Sequence, residues 1–386
     1  MATNQSKQQV AQVFNQLADA LESGEYGGKT KVGITTLGSE HGIEEVIKGA
    51  ELAANKDSDL EVKLIGPQVD TDLEIIYETD CEEEAHDKME KLLQAGEIDA
   101  CVTNHFNFPI GVSTVGRIIT PGLGQEMLLA TSTGTSATNR ITAMVRNAIY
   151  GIIAAKALGN QNPSLGILNV DGARQVEQAL KELKDNGYDI NFAQTVRADG
   201  GCVMRGNDLL QGSADVMVTD TLTGNLLMKV FGAFTTGGSY ESLGFGYGPG
   251  VGEDYDQIIN IISRASGAPV IAGAIRYAAD AAQGELTKLA TDEFKSVNKA
   301  GLEEIIADVE SSNAASSEEV SAPPSKTVDE EISGIDILTL DDAVHALWEE
   351  DIYAESGMGC TGPVVMVASE DEEEAMEILQ EDGFIG

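Results

Sequence analysis

From Lys31 onward, short apolar runs rich in β-branched residues alternate with amphipathic stretches, and this alternation constrains the fold more than any other feature of the sequence. KVGITTL, LEVKLIG, LEIIYET, DACVTN, MLLATST, LGILNV, INFAQTV and ADVMVTD have the length and composition of strands. Between several of them lie segments with helical spacing, such as AHDKMEKLLQAG, ITAMVRNAIYGIIAAKALG and ARQVEQALKELKDNG. The last two close on Gly159 and Gly187, a common way to stop a helix. The pattern predicts an α/β fold, a mostly parallel sheet with flanking helices. In such sheets ligands sit beyond the carboxyl ends of strands, so functional residues are sought immediately after strands.

The alternation also marks out domains. Residues 1–30 read as an N-terminal amphipathic helix, with Val10, Val13, Phe14, Leu17 and Leu21 at helical spacing. Residues 31–310 form the α/β core. Within it, Gly232–Gly252 has glycine at every second place from Gly244 and reads as a loop, the alternative being an extended segment that shows a bare face to a ligand or another backbone. EDYDQIINIISRA reads as helix, and APVIAGAIRYAADAAQG as a strand followed by a helix. Residues 311–331 are small, polar, acidic and proline-containing, and read as a linker. Residues 332–386 form a small C-terminal α/β module: helix LDDAVHALWEE, strand GPVVMVAS, and a second helix with Ser369 as N-cap and acids in its first turn.

Charge excludes several classes of partner. The chain carries 64 acidic against 24 basic residues, a formal net charge of −40. Such a field repels nucleic acid and anionic membrane surfaces, so no nucleic-acid or membrane partner is expected. Any anion site must be built locally from backbone N–H groups and a few placed cations. No apolar run reaches the ~18 residues of a membrane span, and the first residues lack the basic and apolar regions of a signal peptide, so a cytoplasmic location is expected. The four cysteines, Cys81, Cys101, Cys202 and Cys360, have no metal-ligand or C-x-x-C spacing, and the four histidines are scattered. No metal, bound cofactor or disulfide framework is expected.

Three post-strand clusters and one turn can carry chemistry. In ADVMVTDTLTGNLLMKV a strand ends at Thr219 and Asp220, a Thr/Gly/Asn turn follows, and Lys229 lies about one turn into the next helix. A helix start can hold an oxyanion or phosphate, with Thr221, Thr223, Gly224, Asn225 and Lys229 as candidate phosphate-binding residues; ordinary helix capping favours the same residue types. TSTGTSATNR places Ser132, Thr133, Thr135 and Arg140 after another strand, as oxyanion or substrate contacts or as a plain turn. TTLGSEHG ends a third strand with Glu40 and His41, a catalytic or a structural histidine. In SGMGCTGP, Cys360 sits among Gly357, Gly359 and Gly362, which remove side-chain bulk and offer backbone N–H groups to a thiolate or an oxyanion. A tight turn with an incidental cysteine is the plain alternative. The other three cysteines lie in or beside patterned segments and read as packing residues.

Residues 31–285 resemble the phosphate acyltransferases of phospholipid synthesis, distant fold relatives of phosphotransacetylases. The resemblance rests on TTLGSEHGIEEVIKGAELA, GEIDACVTN, NPSLGILNVDG and ADVMVTDTLTGNLLMK; in the last block Asp220, Thr223, Gly224, Asn225 and Lys229 match the family pattern, while Thr221 and Leu222 replace its Gly-Phe. It implies an isocitrate/isopropylmalate dehydrogenase-like arrangement of the core. With the tail segment SGMGCTGPVVMVAS included, the whole chain is similar to the alpha subunits of component C of glycine/sarcosine/betaine reductase complexes. That resemblance implies that Cys360 carries an acetyl group as a thioester and that inorganic phosphate, as substrate, attacks it to give acetyl phosphate. It also implies a hetero-oligomer with a component C beta subunit, and a selenoprotein component A that delivers a carboxymethyl group on selenium. Two other classes remain: a stand-alone phosphate acyltransferase or phosphotransacetylase using thioesters of CoA or an acyl carrier, and a non-catalytic scaffold of the complex.

Overall fold

A computed structural model describes residues 28–197, 200–316, 322–335, 339–359 and 362–385. The N-terminal helix expected before Gly28 lies outside these residues. The strands are β1 (Thr30–Thr35), β2 (Leu60–Ile65), β3 (Glu74–Tyr77), β4 (Ala100–Thr103), β5 (Val112–Ile119), β6 (Glu126–Thr135), β7 (Ser164–Leu168), β8 (Asn191–Phe192), β9 (Val203–Met204), β10 (Val216–Val218), β11 (Gly248–Val251), β12 (Ile259–Ile261), β13 (Glu330–Ser333), β14 (Ala354–Gly359) and β15 (Gly362–Val367). The helices are α1 (Ile43–Lys56), α2 (Glu82–Gln94), α3 (Arg140–Ala157), α4 (Ala173–Asp185), α5 (Gly206–Gln211), α6 (Thr221–Ala233), α7 (Ala268–Gln283), α8 (Leu286–Lys299), α9 (Leu302–Ser316), α10 (Leu340–Glu349) and α11 (Glu372–Glu381).

The described chain divides into two compact units, one made of residues up to Asn169 with Ala173–Glu303, the other of Val170–Gly172 with residues from Glu304 onward. The larger is an α/β layer built on a mostly parallel mixed sheet in the order β3-β2-β1-β4-β12-β11-β5-β6-β10-β7-β8, with β9 also paired to β7. Parallel pairing holds from β3 to β12 and from β6 to β8 and β9, while β12–β11, β11–β5 and β5–β6 are antiparallel. Those three reversals make β6, β10 and β7 run opposite to β1, β4 and β12. The carboxyl ends of the two groups therefore lie at opposite edges of the sheet. This decides which candidate residues can meet.

β4, β10 and β12 are buried along their whole length. α3 is buried almost all round, as expected of a helix packed on β6 and β10 with α8 against it. Its start is fixed by Asn139, whose side chain accepts from the N–H groups of Ile141 (2.9 Å) and Thr142 (3.0 Å).

Five sequence expectations are corrected. The glycine-rich segment contains β11, held in the middle of the sheet between β5 and β12. Gly248 has φ +84°, and a Cβ there would stand 1.8 Å from the Val115 carbonyl oxygen, so only glycine lets the strand enter. EDYDQIINIISRA holds strand β12, and APVIAG is the first part of helix α7 rather than a strand. The span 311–331, expected as a linker, is structured on both sides of the residues not described: α9 runs to Ser316, Lys326 pairs with Asp371 (2.7 Å), and Asp329 accepts from the Ser369 N–H (2.9 Å). The cap of the last helix is Asp371, not Ser369. β5 carries no expectation from sequence at all.

The smaller unit has its own antiparallel sheet, ordered β13-β15-β14. Ile332, Val344, Leu347, Val365, Val367 and Leu379 are among its buried residues. The Trp348 indole N–H donates to the Ala354 carbonyl at 2.9 Å. Among the described residues no helix is long and apolar enough to cross a membrane.

Candidate functional site

Helix α6 starts where β10 ends, and the local sequence explains why. β10 is fully buried between β6 and β7, and the Thr219 N–H extends its pairing to the Ala130 carbonyl (2.7 Å). Asp220 then leaves the strand in extended conformation and caps the helix. Its carboxylate accepts from the Thr223 N–H (3.1 Å) and the Thr223 hydroxyl (2.6 Å), and Arg140 pairs with it at 3.2 Å. Burial opposes ionisation of Asp220, but the Thr223 hydrogen bonds and the Arg140 charge outweigh it and hold the carboxyl below its ordinary value.

The first turn of α6 is clamped onto the end of β6. The Asn225 amide donates to the Ser132 carbonyl at 3.1 Å, and the Thr221 hydroxyl to the Gly134 carbonyl at 3.4 Å. Gly224 permits this contact, because a Cβ there would stand 1.7 Å from the Thr131 carbonyl oxygen. Beneath the turn, buried Asn147 donates to the Thr219 carbonyl (3.2 Å) and accepts from the Ser113 (3.2 Å) and Ser136 (2.7 Å) hydroxyls. Thr221, Thr223, Gly224, Asn225 and Arg140 are thus brought together at one sheet edge.

The remaining candidates are placed elsewhere. Ser132 is fully buried; its hydroxyl donates to the Tyr247 carbonyl (2.7 Å) and bonds Thr114 (2.7 Å), so it joins strands rather than facing a ligand. Thr133 is half-buried and its carbonyl accepts from Thr131 (3.2 Å), while Thr135 is exposed at the end of β6. Lys229 is the ninth residue of α6, about 12 Å along the axis from Thr221, not one turn in. Its ammonium lies 5.7 Å from the centre of the Tyr247 ring. His41 follows β1, whose carboxyl end is at the other sheet edge; it is exposed and meets Tyr240 edge-on at 6.1 Å.

Sequence reasoning passes over Glu241, which is 4% exposed and takes hydrogen bonds from the Tyr247 (3.2 Å) and Ser266 (3.2 Å) hydroxyls. Burial pushes its carboxyl up, opposed by hydrogen bonds from Ser263, Ser266 and Tyr247 and by the nearby Lys229 charge. The available signal was a lone acid inside a glycine-rich apolar stretch.

The described cysteines separate by environment. Cys101 is fully buried and burial raises its thiol pKa. Cys202 is buried 3.4 Å from Glu177, and burial together with that carboxylate pushes its thiol up to about 12. Both are held as inert thiols. Cys81 is exposed at the cap position of α2, contrary to its reading as a packing residue. Cys360 lies outside the described residues; its neighbours Gly359 and Gly362 pair with each other across the β14–β15 hairpin. Among the described residues no group of three or more His, Cys, Asp or Glu is placed to hold a metal ion.

Comparison with known proteins adds an independent line. Residues 30–366 match the family described as fatty acid synthesis protein. The glycine/sarcosine/betaine reductase complex component C subunit alpha of Peptoclostridium acidaminophilum is 59% identical over 98% of this chain and 99% of its own length. A phosphate acyltransferase of a Geobacillus species is 28% identical, over 52% of this chain and 70% of its own length. Among solved structures, a 4-hydroxythreonine-4-phosphate dehydrogenase from Klebsiella pneumoniae covers 66% of this chain and 98% of its own, at 11% identity and a TM-score of 0.41. By its match along nearly the whole length, the chain belongs to the family of glycine/sarcosine/betaine reductase component C alpha subunits, within the wider fatty acid synthesis protein family.

Proposed function

We propose that this chain forms acetyl phosphate by phosphorolysis of an acetyl thioester on Cys360. The observation that carries the reading is the 59% identity to a component C alpha subunit over 98% of the chain, which includes the glycine-flanked cysteine segment. The environments of the other cysteines support it, since Cys101 and Cys202 are buried with raised thiol pKa values.

In the proposed step a phosphate oxygen attacks the thioester carbonyl carbon, and a tetrahedral oxyanion forms. The carbon–sulfur bond then breaks, releasing acetyl phosphate and the Cys360 thiolate, which takes a proton from solvent. Covalent catalysis of this kind keeps the acyl group activated between loading and release. Phosphate is held at the α6 start by Arg140 and by the Thr221 hydroxyl, which gives up its long bond to the Gly134 carbonyl, while Thr223 stays engaged with Asp220 and fixes the turn. Asp220 sits in the same turn, so Arg140 has to offset a carboxylate as well as attract the anion. The acetyl group is supplied by a carboxymethyl-bearing selenoprotein, component A, and a component C beta subunit completes the assembly.

Arsenate-driven breakdown of acetyl phosphate by the purified complex tests this reading. The Cys360→Ser variant is expected to lose the activity. Retained activity would return the chain to the class of stand-alone phosphate acyltransferases, where no protein thiol is needed. Thiol-dependent turnover by the isolated chain would exclude a scaffold role.

A further inference from the structure

The sheet edge that carries the α6 start continues past it. β7 pairs in parallel with β10 on one side and with β9 on the other. The registers put Ala130, Val218, Ile167 and Val203 side by side. Past those positions Asp220, Asn169 and Arg205 follow the carboxyl ends of β10, β7 and β9.

Beside the end of β9 lies a small cleft open to solvent. Arg174, Arg197 and Arg205 line it, together with Asn169 and Thr195. These are three of the eight arginines in a chain of net charge −40. Positive groups are scarce on this chain, and three arginines lining one concave surface oppose its negative field locally. The planar, forked guanidinium matches the oxygens of phosphate better than a point charge does. Helix α4, 13 residues long, begins at Ala173 beside Arg174, so its dipole adds to the same field.

The walls of the cleft are fixed from below. Fully buried Asp208 accepts from the Thr195 hydroxyl (2.8 Å), the Val196 N–H (2.7 Å) and the Arg205 N–H (2.9 Å), tying the two segments that present Arg197 and Arg205. The arginines also have protein partners. Arg174 pairs with Glu177 at 2.9 Å, and Arg197 and Arg205 contact neighbours of their own. Glu177 keeps Lys181 at 2.9 Å if Arg174 turns away, so that exchange leaves no carboxylate unpaired. A ligand that competes for these groups needs two charges and several acceptor oxygens, which favours phosphate over a carboxylate.

We propose that this cleft binds a phosphate group, either as the free ion or as a phosphomonoester at the end of a larger molecule. The site is separate from the α6 start and does not rest on the thioester reading. Equilibrium dialysis of the full chain against labelled inorganic phosphate, and against methyl phosphate as a simple phosphomonoester, reads it directly. Tighter binding of the free ion assigns the site to phosphate itself; tighter binding of the ester assigns it to a larger ligand. The Arg174→Gln/Arg205→Gln variant is expected to lose one binding site, or to bind it roughly tenfold or more weakly. Phosphate is also expected to shield Arg174, Arg197 and Arg205 of the unmodified chain from phenylglyoxal, read by peptide mass spectrometry with Arg264 as the unshielded reference. The proposal is overturned if neither probe binds at millimolar concentration, if a variant with native circular dichroism binds as the parent does, or if phosphate shields none of the three. Loss of the thioester activity alone leaves every one of these readouts unchanged.

Discussion

Replacing Gly224 by alanine tests whether the α6 start is positioned by backbone contact with β6. The added Cβ would stand 1.7 Å from the Thr131 carbonyl oxygen, and 3.2 Å from the Thr219 methyl group. Ordinary carbon–oxygen contact needs roughly twice the first distance, so the helix has to retreat by well over an ångström. That retreat costs the Asn225–Ser132 and Thr221–Gly134 hydrogen bonds, each about 1 kcal/mol, on top of about 1–3 kcal/mol of overpacking. Alanine regains about 1 kcal/mol of helix propensity. The net expected loss is about 2–4 kcal/mol. Urea unfolding followed by far-ultraviolet circular dichroism measures it, since the single tryptophan, Trp348, belongs to the smaller unit. Gly206→Ala is the control, because a Cβ added there meets nothing within 4 Å and its φ is not left-handed; it should be neutral or slightly stabilising. A Gly224→Ala variant as stable as the parent, with unchanged phosphate dependence, would refute the close-packing argument.

Other outcomes follow from the same geometry. Asp220 has a carboxyl held below its ordinary 3.8, so its cap stabilises α6 at neutral pH and the contribution is lost as pH falls through the depressed value. Asp220→Ala should therefore cost about 1 kcal/mol or more near pH 7 and much less in acid, seen in unfolding curves at several pH values. Arg140→Gln and Thr223→Val should raise the phosphate requirement of acetyl phosphate formation about tenfold, whereas Lys229→Ala, two turns further along α6, should change it less; an equal or larger effect of Lys229→Ala would move the phosphate site along the helix. Among the four cysteine-to-serine variants only Cys360→Ser should abolish turnover, and a dead Cys81→Ser with an active Cys360→Ser would reassign the thiol.

Much of the sheet was legible because its outer strands are β-branched runs bounded by turn residues. The middle was not. β11 is Gly-Pro-Gly-Val, a strand that exists because glycine alone fits against the Val115 carbonyl, so neither propensity nor alternation announces it. β12 and the residues on either side of it carry Ile258, Ile259, Ile261 and Ile262, a spacing that suits a helix face as well as a buried strand. The opposite error, a strand read in the first part of APVIAGAIRYAADAAQG, comes from an apolar run that is buried as a helix. At the site, the capping residues were readable from β10–α6 chemistry, and Asp220, Thr223 and Asn225 do meet there. The separation of His41 from that turn was not readable, because it depends on three antiparallel pairings in the centre of the sheet. The arginine cleft was hidden for a similar reason: Arg174, Arg197 and Arg205 follow the adjacent strands β7, β8 and β9, which pair through the sheet and not through sequence spacing.

The central claim is that an acyl thioester forms on one cysteine and is released by phosphate. Peptide mass spectrometry of the chain taken from the complex during turnover, with phosphate withheld, reads this directly. The expected result is an acetyl group on Cys360 that is labile to hydroxylamine and disappears when phosphate is added, with acetyl phosphate appearing in equal amount. An acetyl group on Cys81, or steady acetyl phosphate production with no acylated cysteine at any stage, would contradict the account.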